Sequence, residues 1–152
     1  MTRAAAPTRA PTTYQLLIEL PQPVRCRIGR LGEFDFPAGL YCYTGSARRA
    51  FEARIARHLR RGDDKILRWH IDYLLAAPGA RVVRVQRSRR GECAWNQATR
   101  GRMVVAGFGA SDCGAGCGAH LKWVDAEGRK GWRGAYGGPG SHCLALRLAA
   151  SE

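Results

Sequence analysis

The apolar positions along the chain change their spacing near residue 45, from segments typical of strands to a period typical of helices. Before this point, three short segments rich in apolar and β-branched residues are separated by turns that contain Pro or Gly, which predicts strands in the order of an antiparallel meander. These segments are 14–20, 24–28 and 40–44. After it, apolar residues recur every four positions at Phe51, Ile55 and Leu59, which predicts a helix with one buried stripe.

The second half of the chain is predicted to alternate between helices and strands. A helix at about 66–77 has Ile71, Leu74 and Leu75 at core positions and stops at Pro78-Gly79, because proline and glycine end helices. The other predicted elements are a strand at 81–87, a helix after Gly91, strands at 103–106 and 121–124, a glycine-rich loop at 128–140 and a closing strand at 142–148. This order predicts the α+β fold class, with a small mixed or antiparallel sheet flanked by about three helices.

The length of 152 residues fits one folded domain with a single core. We expect residues 1–12 to form a flexible basic tail, residues 13–125 to form the domain, and residues 126–152 to add a glycine-rich loop and a closing strand packed on it. No apolar segment approaches membrane-spanning length, and the first 13 residues lack the apolar centre of a secretory signal. The sequence therefore favours a cytoplasmic protein without membrane contact.

Positive charge is the strongest signal in the composition. The chain has 25 Lys and Arg residues against 12 Asp and Glu residues, a formal net charge of +13. Such an excess favours a polyanionic partner through counterion release, and the predominance of Arg suits phosphate oxygens because its planar guanidinium donates paired hydrogen bonds. A genome rich in G and C would also favour Arg codons, but nucleic acid is the preferred partner.

A strand-to-helix junction carries side chains suited to phosphodiester chemistry. The run Tyr43-Thr44-Gly45-Ser46-Ala47 ends a predicted strand in a tight turn, and the helix that follows places four basic residues on one flank. They are Arg54, Arg57, His58 and Arg61. A phenol, an arginine and an imidazole can together position a phosphate and move a proton. The same residues could also form an ordinary solvated basic surface.

These residues resemble the GIY-YIG nuclease superfamily, whose members carry two tyrosines on neighbouring strands, an arginine on the next helix and a metal-binding glutamate on a later helix. Tyr43-Thr44-Gly45 matches the second half of the motif, and Arg54 matches the arginine. His58 matches a frequent histidine one turn further on, and Glu92 matches the glutamate.

The first half of the motif corresponds to Thr12-Thr13-Tyr14, where Thr12 stands in place of the usual glycine. Gly39-Leu40-Tyr41 spells this half more literally, but a single residue separates it from Tyr43, so the two halves could not lie on adjacent strands. The closer resemblance is to an uncharacterised branch of the superfamily, sometimes fused to endonuclease III. It is carried by the runs 39–47, 69–75, 92–93 and 108–121.

The resemblance implies a metal-dependent endonuclease that acts on DNA rather than RNA, and we expect it to be directed by DNA structure. The implied catalytic residues are Tyr14, Tyr43, Arg54 and His58, and Glu92 is the implied ligand of Mg²⁺ or Mn²⁺. The expected substrate contacts are Ser46, Arg57, Arg61 and His70. Arg54 would hold the phosphate through paired N–H donors, and Tyr43 is preferred to Tyr14 as the base that deprotonates water.

Structural roles are the alternative for each of these residues. Tyrosines at strand positions are often half-buried aromatics, Arg54 could be a solvated helix residue, and Glu92 could complement the dipole at the start of its helix. On that interpretation the chain would be a noncatalytic nucleic-acid-binding protein on the same fold.

The cysteines raise a third hypothesis, a zinc-stabilised interaction module. Cys113, Cys117 and His120 are zinc-ligand types, and Cys93 or His142 could supply a fourth ligand. The spacing lacks a second closely spaced pair, so the sequence favours Mg²⁺ or Mn²⁺ over Zn²⁺ as the cofactor.

Overall fold

The computed structural model describes residues 9–62 and 64–124. The predicted basic tail at 1–12 therefore lies mostly outside the described residues, and the predicted loop and closing strand within 126–152 lie entirely outside them. No helix in the described ranges is both long enough and apolar enough to cross a membrane.

The predicted α+β fold class is confirmed by the order and packing of the elements. In chain order they are β1 (Thr13–Leu20), β2 (Val24–Ile28), a short 3-10 turn (Gly29–Leu31), β3 (Gly32–Phe36), β4 (Gly39–Ser46), α1 (Phe51–Leu59), α2 (His70–Leu75), β5 (Arg81–Ser88), α3 (Glu92–Ala98) and β6 (Leu121–Trp123). Alternation and helical period located most of these elements to within a few residues.

β1 lies inside a four-stranded sheet whose strand order is β5-β1-β4-β6. Each neighbouring pair in this sheet is antiparallel. Successive side chains of a strand point to opposite faces, and β1 contributes Tyr14, Leu16, Ile18 and Leu20 to one buried cluster and Leu17 to another on the opposite face. The larger cluster includes Leu16, Ile18, Leu20, Ile55, Ile71 and Phe108, and the smaller one comprises Leu17, Leu40, Cys42 and Val124.

The hairpin of β2 and β3 forms a separate two-stranded sheet. Because β1 pairs with β4 instead of β2, the predicted meander was wrong in its strand pairing. Ile28 and Phe36 at the ends of the hairpin are fully buried in the larger cluster. The hairpin is thus an excursion between two paired strands, and it covers part of the core.

A buried ion pair joins α1 to α2. Arg57 donates from both terminal nitrogens to Asp72, at 2.7 and 3.0 Å, and Asp72 is fully buried. The same carboxylate accepts the main-chain N–H groups of Arg68 and Trp69, at 2.8 and 2.9 Å, which satisfies free donors at the start of α2. Burial raises the pKa of Asp72, but these hydrogen bonds outweigh it and leave the pKa below its ordinary value.

This capping explains why α2 begins at His70 rather than near residue 66. Two other predictions were also wrong. Residues 103–106 form no strand, because Arg102 makes only an isolated bridge to Trp123 and the chain then turns at Gly107, which has a φ of +84°. α3 buries Trp95 and its neighbour Asn96, whereas its predicted core positions were Cys93 or Ala94, Gln97 and Ala98.

Candidate functional site

Tyr14 and Tyr43 lie close together on one face of the central sheet. The register of β1 and β4 pairs Tyr14 with Gly45 and Leu16 with Tyr43, which places the two tyrosines diagonally on the same face. Their ring centroids are 6.4 Å apart. The residue of the more literal half-motif, Tyr41, instead donates its hydroxyl to the carbonyl of Pro37 at 2.6 Å.

Gly45 makes room for the ring of Tyr14. A Cβ added at Gly45 would lie 2.6 Å from the hydroxyl oxygen of Tyr14 and 2.7 Å from its Cζ. Contacts this short force a displacement in a packed interior. The glycine of the Tyr43-Thr44-Gly45 run is therefore explained by the close approach of an aromatic side chain from the neighbouring strand.

His58 is buried beneath Tyr14, and it does not lie on a polar flank as the helical period indicated. Only 3% of its surface is exposed, and its Nε2 is 2.8 Å from the Tyr14 hydroxyl oxygen. Burial lowers the pKa of His58 to about 4, against the opposing effect of Asp72. The imidazole is therefore neutral near pH 7 and can accept the hydrogen bond that Tyr14 donates.

Arg54 reaches from α1 back to the end of β4. Its guanidinium donates to the carbonyl oxygen of Ser46 at 3.1 Å, and its central carbon lies 4.7 Å from the ring centroid of Trp69. Both contacts fix the guanidinium at the mouth of the strand-to-helix junction. They leave other N–H donors of the fork available for an anion.

Glu92 opens α3 and is held by two hydrogen bonds. The hydroxyl of Ser46 donates to Oε2 at 2.8 Å, and Nδ1 of His120 is 3.2 Å from Oε1. Burial raises the pKa of Glu92, but the hydrogen bonds from His120 and Ser46 outweigh it and leave the pKa below its ordinary value. The carboxylate is therefore ionised and partly open to solvent, with 29% of the side chain exposed.

One cavity of about 240 Å³ brings most of the predicted site residues together. The sequence-predicted residues in its lining are Tyr14, Tyr43, Ser46, Arg54, His70 and Glu92. The remaining lining includes Trp69, Gly109 and Asp112. Two phenols, two guanidinium groups (Arg54 and Arg68), an imidazole and two carboxylates (Glu92 and Asp112) thus belong to residues that line one space.

His70 supports the wall of this cavity. Its Nδ1 accepts the main-chain N–H of Gly109 at 2.9 Å, and burial lowers the pKa of His70. Gly109 has a φ of +68° and lies so close to Tyr43 that an added Cβ would be 3.0 Å from the ring. His70 therefore positions the loop that covers Tyr43.

Two predicted substrate contacts lie elsewhere. Arg57 is occupied by Asp72 and by the carbonyl of Ile66. Arg61 donates to the carbonyl of Ala80 and lines a second cavity of about 510 Å³, which His58 also lines. The second cavity is the larger one, but the tyrosines, Arg54 and Glu92 all face the smaller one.

A cluster of three thiols and one imidazole lies next to Glu92, which contacts the imidazole of His120. The ligand atoms of Cys93, Cys113, Cys117 and His120 all lie within 4.8 Å of one another. Main-chain N–H groups of Cys117 and Ala115 lower the pKa of the Cys113 thiol to about 6, which favours the thiolate that binds metals. This cluster can hold a metal ion, and its sulfur and nitrogen donors suit zinc better than magnesium or manganese.

Comparison with known proteins places the chain in one family. The profile of a family described as a domain of unknown function, DUF123, matches residues 13–131. The chain belongs to this family. No significant match was found among curated proteins or among solved structures. Since the DUF123 description gives no activity, the function has to be inferred from the site itself.

Five residues of the DUF123 cavity were given no role in the site by sequence reasoning: Arg68, Trp69, Gly109, Ser111 and Asp112. Trp69, Gly109 and Asp112 all fall within runs that carried the family resemblance, so a signal was present. Nothing in their spacing showed that these runs meet, because the contact depends on how α2 and the loop before β6 fold back onto β4. Among them, Asp112 adds a second carboxylate residue to the lining that contains Glu92.

Proposed function

We propose that this DUF123 domain is a metal-dependent endonuclease of the GIY-YIG type that hydrolyses phosphodiester bonds in DNA. The observation that carries the proposal is the convergence of Tyr14, Tyr43, Arg54 and Glu92 on one cavity. They come from two strands and two helices, and phosphodiester hydrolysis uses these functional groups together. The net charge of +13 supports a nucleic-acid substrate.

Glu92 fits the requirements of a divalent cation such as Mg²⁺ or Mn²⁺. Each of its oxygens accepts one hydrogen bond in the structure, and a carboxylate oxygen has a second acceptor position. Asp112 offers another carboxylate in the same lining. Magnesium retains several waters and needs only one or two carboxylates. When bound, the cation would supply positive charge beside the scissile phosphate.

Arg54 is the residue that would hold the phosphate. Its guanidinium is fixed by Ser46 and Trp69, so little side-chain entropy is lost when it binds an oxyanion. It lies in the same lining as both tyrosines. A fixed cation aimed at developing negative charge stabilises a phosphoryl transition state.

The proton path runs through Tyr14 and His58. Burial raises the pKa of Tyr14 and of Tyr43, so both rest as phenols. Tyr14 can take a proton from the attacking water while passing its own to Nε2 of His58, 2.8 Å away. The low pKa of His58 keeps the proton on Tyr14 at rest, and the positive charge of Arg54 lowers the pKa of Tyr14 and so favours loss of this proton. This hydrogen bond favours Tyr14 as the base, whereas the sequence favoured Tyr43.

Binding without cleavage is the second candidate function. The observation that favours it is that both oxygens of Glu92 are already engaged, together with Thr12 in place of the motif glycine. On this alternative the cavity recognises phosphate through Arg54, and Glu92 has only a structural role.

Cleavage assays distinguish the two. We would incubate the protein with single-stranded, duplex, flapped and branched DNA, in Mg²⁺, Mn²⁺ or EDTA. We expect metal-dependent cleavage of flapped or branched DNA, because one small domain offers little surface for reading base edges. Arg54→Ala and Glu92→Gln should each reduce the rate at least about 100-fold.

Matched controls separate the site from bulk charge. Arg30 lies in the short 3-10 turn between β2 and β3, and Glu33 lies on β3. Both are exposed and lie outside the cavity lining, so the Arg30→Ala and Glu33→Gln variants should cleave DNA at the wild-type rate. Cleavage that persists in both site variants would contradict the assignment. Salt-sensitive binding with no cleavage under any metal would favour the binding protein.

A further inference from the structure

The cluster next to Glu92, made of Cys93, Cys113, Cys117 and His120, has the geometry of a metal site. Cys93 Sγ lies 3.6 Å from Cys113 Sγ and 3.9 Å from His120 Nε2. A tetrahedral zinc ion with Zn–S bonds of about 2.3 Å sets its sulfurs roughly 3.8 Å apart. The side chains therefore need only small adjustments to surround an ion of this size.

The surroundings of the cluster orient its ligands. His120 turns Nε2 toward the sulfurs while its Nδ1 lies 3.2 Å from Glu92, which is the carboxylate–histidine–metal arrangement that fixes a ligating imidazole. Gln97 donates to the sulfur of Cys117 at 3.4 Å.

We infer that Cys93, Cys113, Cys117 and His120 bind one zinc ion, and that this ion holds the wall of the DUF123 cavity in place. Four protein ligands fill a tetrahedral shell, so the site is structural. The zinc proposal does not depend on the proposed nuclease function, because the four ligands and their hydrogen-bond partners can hold the ion without any substrate.

The position of the ligands in the chain explains what the ion would hold. Cys93 and Cys113 directly follow Glu92 and Asp112, which both line the cavity. His120 immediately precedes β6. Residues 99–120 contain no helix and no strand beyond the single bridge at Arg102. A metal that joins these segments would order this long connection in a small domain.

Metal analysis of the purified full-length chain tests the site. We expect about one zinc per chain in the wild type and in Cys26→Ser, a matched variant whose thiol lies away from the cluster beside the carbonyl of Tyr73. Cys117→Ser should lose most of its zinc. Equal zinc in the two variants, or a wild type that neither contains nor takes up zinc, would overturn the proposal.

Cobalt substitution decides the case if Cys117→Ser fails to fold. Co²⁺ added to the metal-free wild type should give the intense visible bands of a tetrahedral site and a near-ultraviolet thiolate band. A weak octahedral spectrum, or mass spectrometry that finds a disulfide between Cys93 and Cys113, would rule out the zinc site.

Hydrogen exchange tests the role of the ion in the wall. Removing zinc should speed amide exchange in residues 107–120 and at the start of α3, and leave β1 unchanged. Identical exchange in the zinc-bound and zinc-free proteins would refute that role. These measurements use no nucleic acid, so their failure is separate from a failure of the nuclease proposal.

Discussion

The hydroxyl oxygen of Tyr14 lies 2.8 Å from Nε2 of His58, inside the core. The other ring nitrogen of His58, Nδ1, has no hydrogen-bond partner among the described residues, and it lies 3.9 Å from the nearest oxygen of Asp72. The contact joins β1 to α1, which are separated in the chain by three strands. It also places a titratable pair at the edge of the candidate site, where the protonation state of His58 affects both stability and chemistry.

Acid should therefore destabilise the protein through His58. The pKa of this histidine is about 4 in the fold and about 6.5 in an unfolded chain, so the unfolded state binds a proton more readily between these values. Stability due to this group is fully present above pH 6.5 and is lost as the pH falls toward 4. The loss amounts to at most about 3 kcal/mol. Urea unfolding from pH 7 to pH 4 would measure it.

His58→Gln is the matched variant for this measurement, since glutamine can accept the Tyr14 hydrogen bond but does not titrate. The charged groups that act on His58 are Asp72, Lys65, Arg57 and Arg54, and both proteins share them. The free energy of unfolding should fall more steeply with acid in the wild type. Parallel pH profiles would show that His58 is not a buried neutral imidazole.

Gly45→Ala should displace Tyr14. The added Cβ would meet the phenol ring 2.6 to 3.0 Å away, and overpacking of this kind costs about 1–3 kcal/mol. Gly91→Ala is the control, because no atom in the described part of the chain lies within 4 Å of its added Cβ. As a helix N-cap change it should cost less than about 1 kcal/mol. Thermal unfolding compares the two variants. Equal losses would contradict the close packing of Tyr14 on Gly45.

The sequence predicted elements better than it predicted their partners. The strand predicted at 24–28 coincides with the observed β2. Periodicity, however, reports which face of a strand is apolar and not which strand lies beside it. Hence the pairing of β1 with β4 was missed. His58 was misplaced for a similar reason, because the flank of α1 that looks polar in the sequence is covered by α2 and by Tyr14. Contacts between distant segments decide both features.

The same limit applies to the metal cluster. Cys113 and Cys117 were visible as a pair in the sequence, but Cys93 lies 20 residues before Cys113, at the start of a different element. Only the packing of α3 beside the loop and β6 shows that these thiols converge. By contrast, the tyrosine, arginine and glutamate positions were predicted from a family resemblance carried by short sequence runs, and the structure brings these residues together in one cavity lining.

Arg57 and Arg54 should separate stability from substrate binding. Arg57→Ala removes the guanidinium that pairs with the fully buried Asp72 and leaves Lys65 Nζ, 4.0 Å away, as the remaining side-chain cation. Loss of one member of a buried pair costs about 3–5 kcal/mol, and we expect a smaller loss here because Arg57 is partly exposed and Lys65 remains. Arg54→Ala should change stability by less than about 1 kcal/mol but weaken DNA binding. Urea unfolding and fluorescence anisotropy would measure the two effects.

A double variant checks the first half of this prediction. Asp72→Ala with Arg57→Ala removes both charges, so the pair should be less destabilised than the sum of the single changes. Simple additivity would argue against a buried ion pair. DNA affinity that falls equally in Arg54→Ala and Arg30→Ala would mean that Arg54 contributes only bulk charge.

Ser46→Ala should loosen Glu92 without unfolding the domain. The serine hydroxyl donates to Oε2 of Glu92 at 2.8 Å, and loss of an outer partner of a metal ligand typically weakens metal affinity about 10–100-fold. One such hydrogen bond contributes only about 1 kcal/mol to stability. Titration with Mn²⁺, followed by the paramagnetic resonance of the free ion, measures affinity without relying on cleavage. Ser111→Ala is the control, because this exposed serine lines the same cavity. If both serine variants bind Mn²⁺ as tightly as the wild type, the Ser46 hydrogen bond does not orient Glu92 for cation binding. That result would also argue against Glu92 as the divalent-cation ligand.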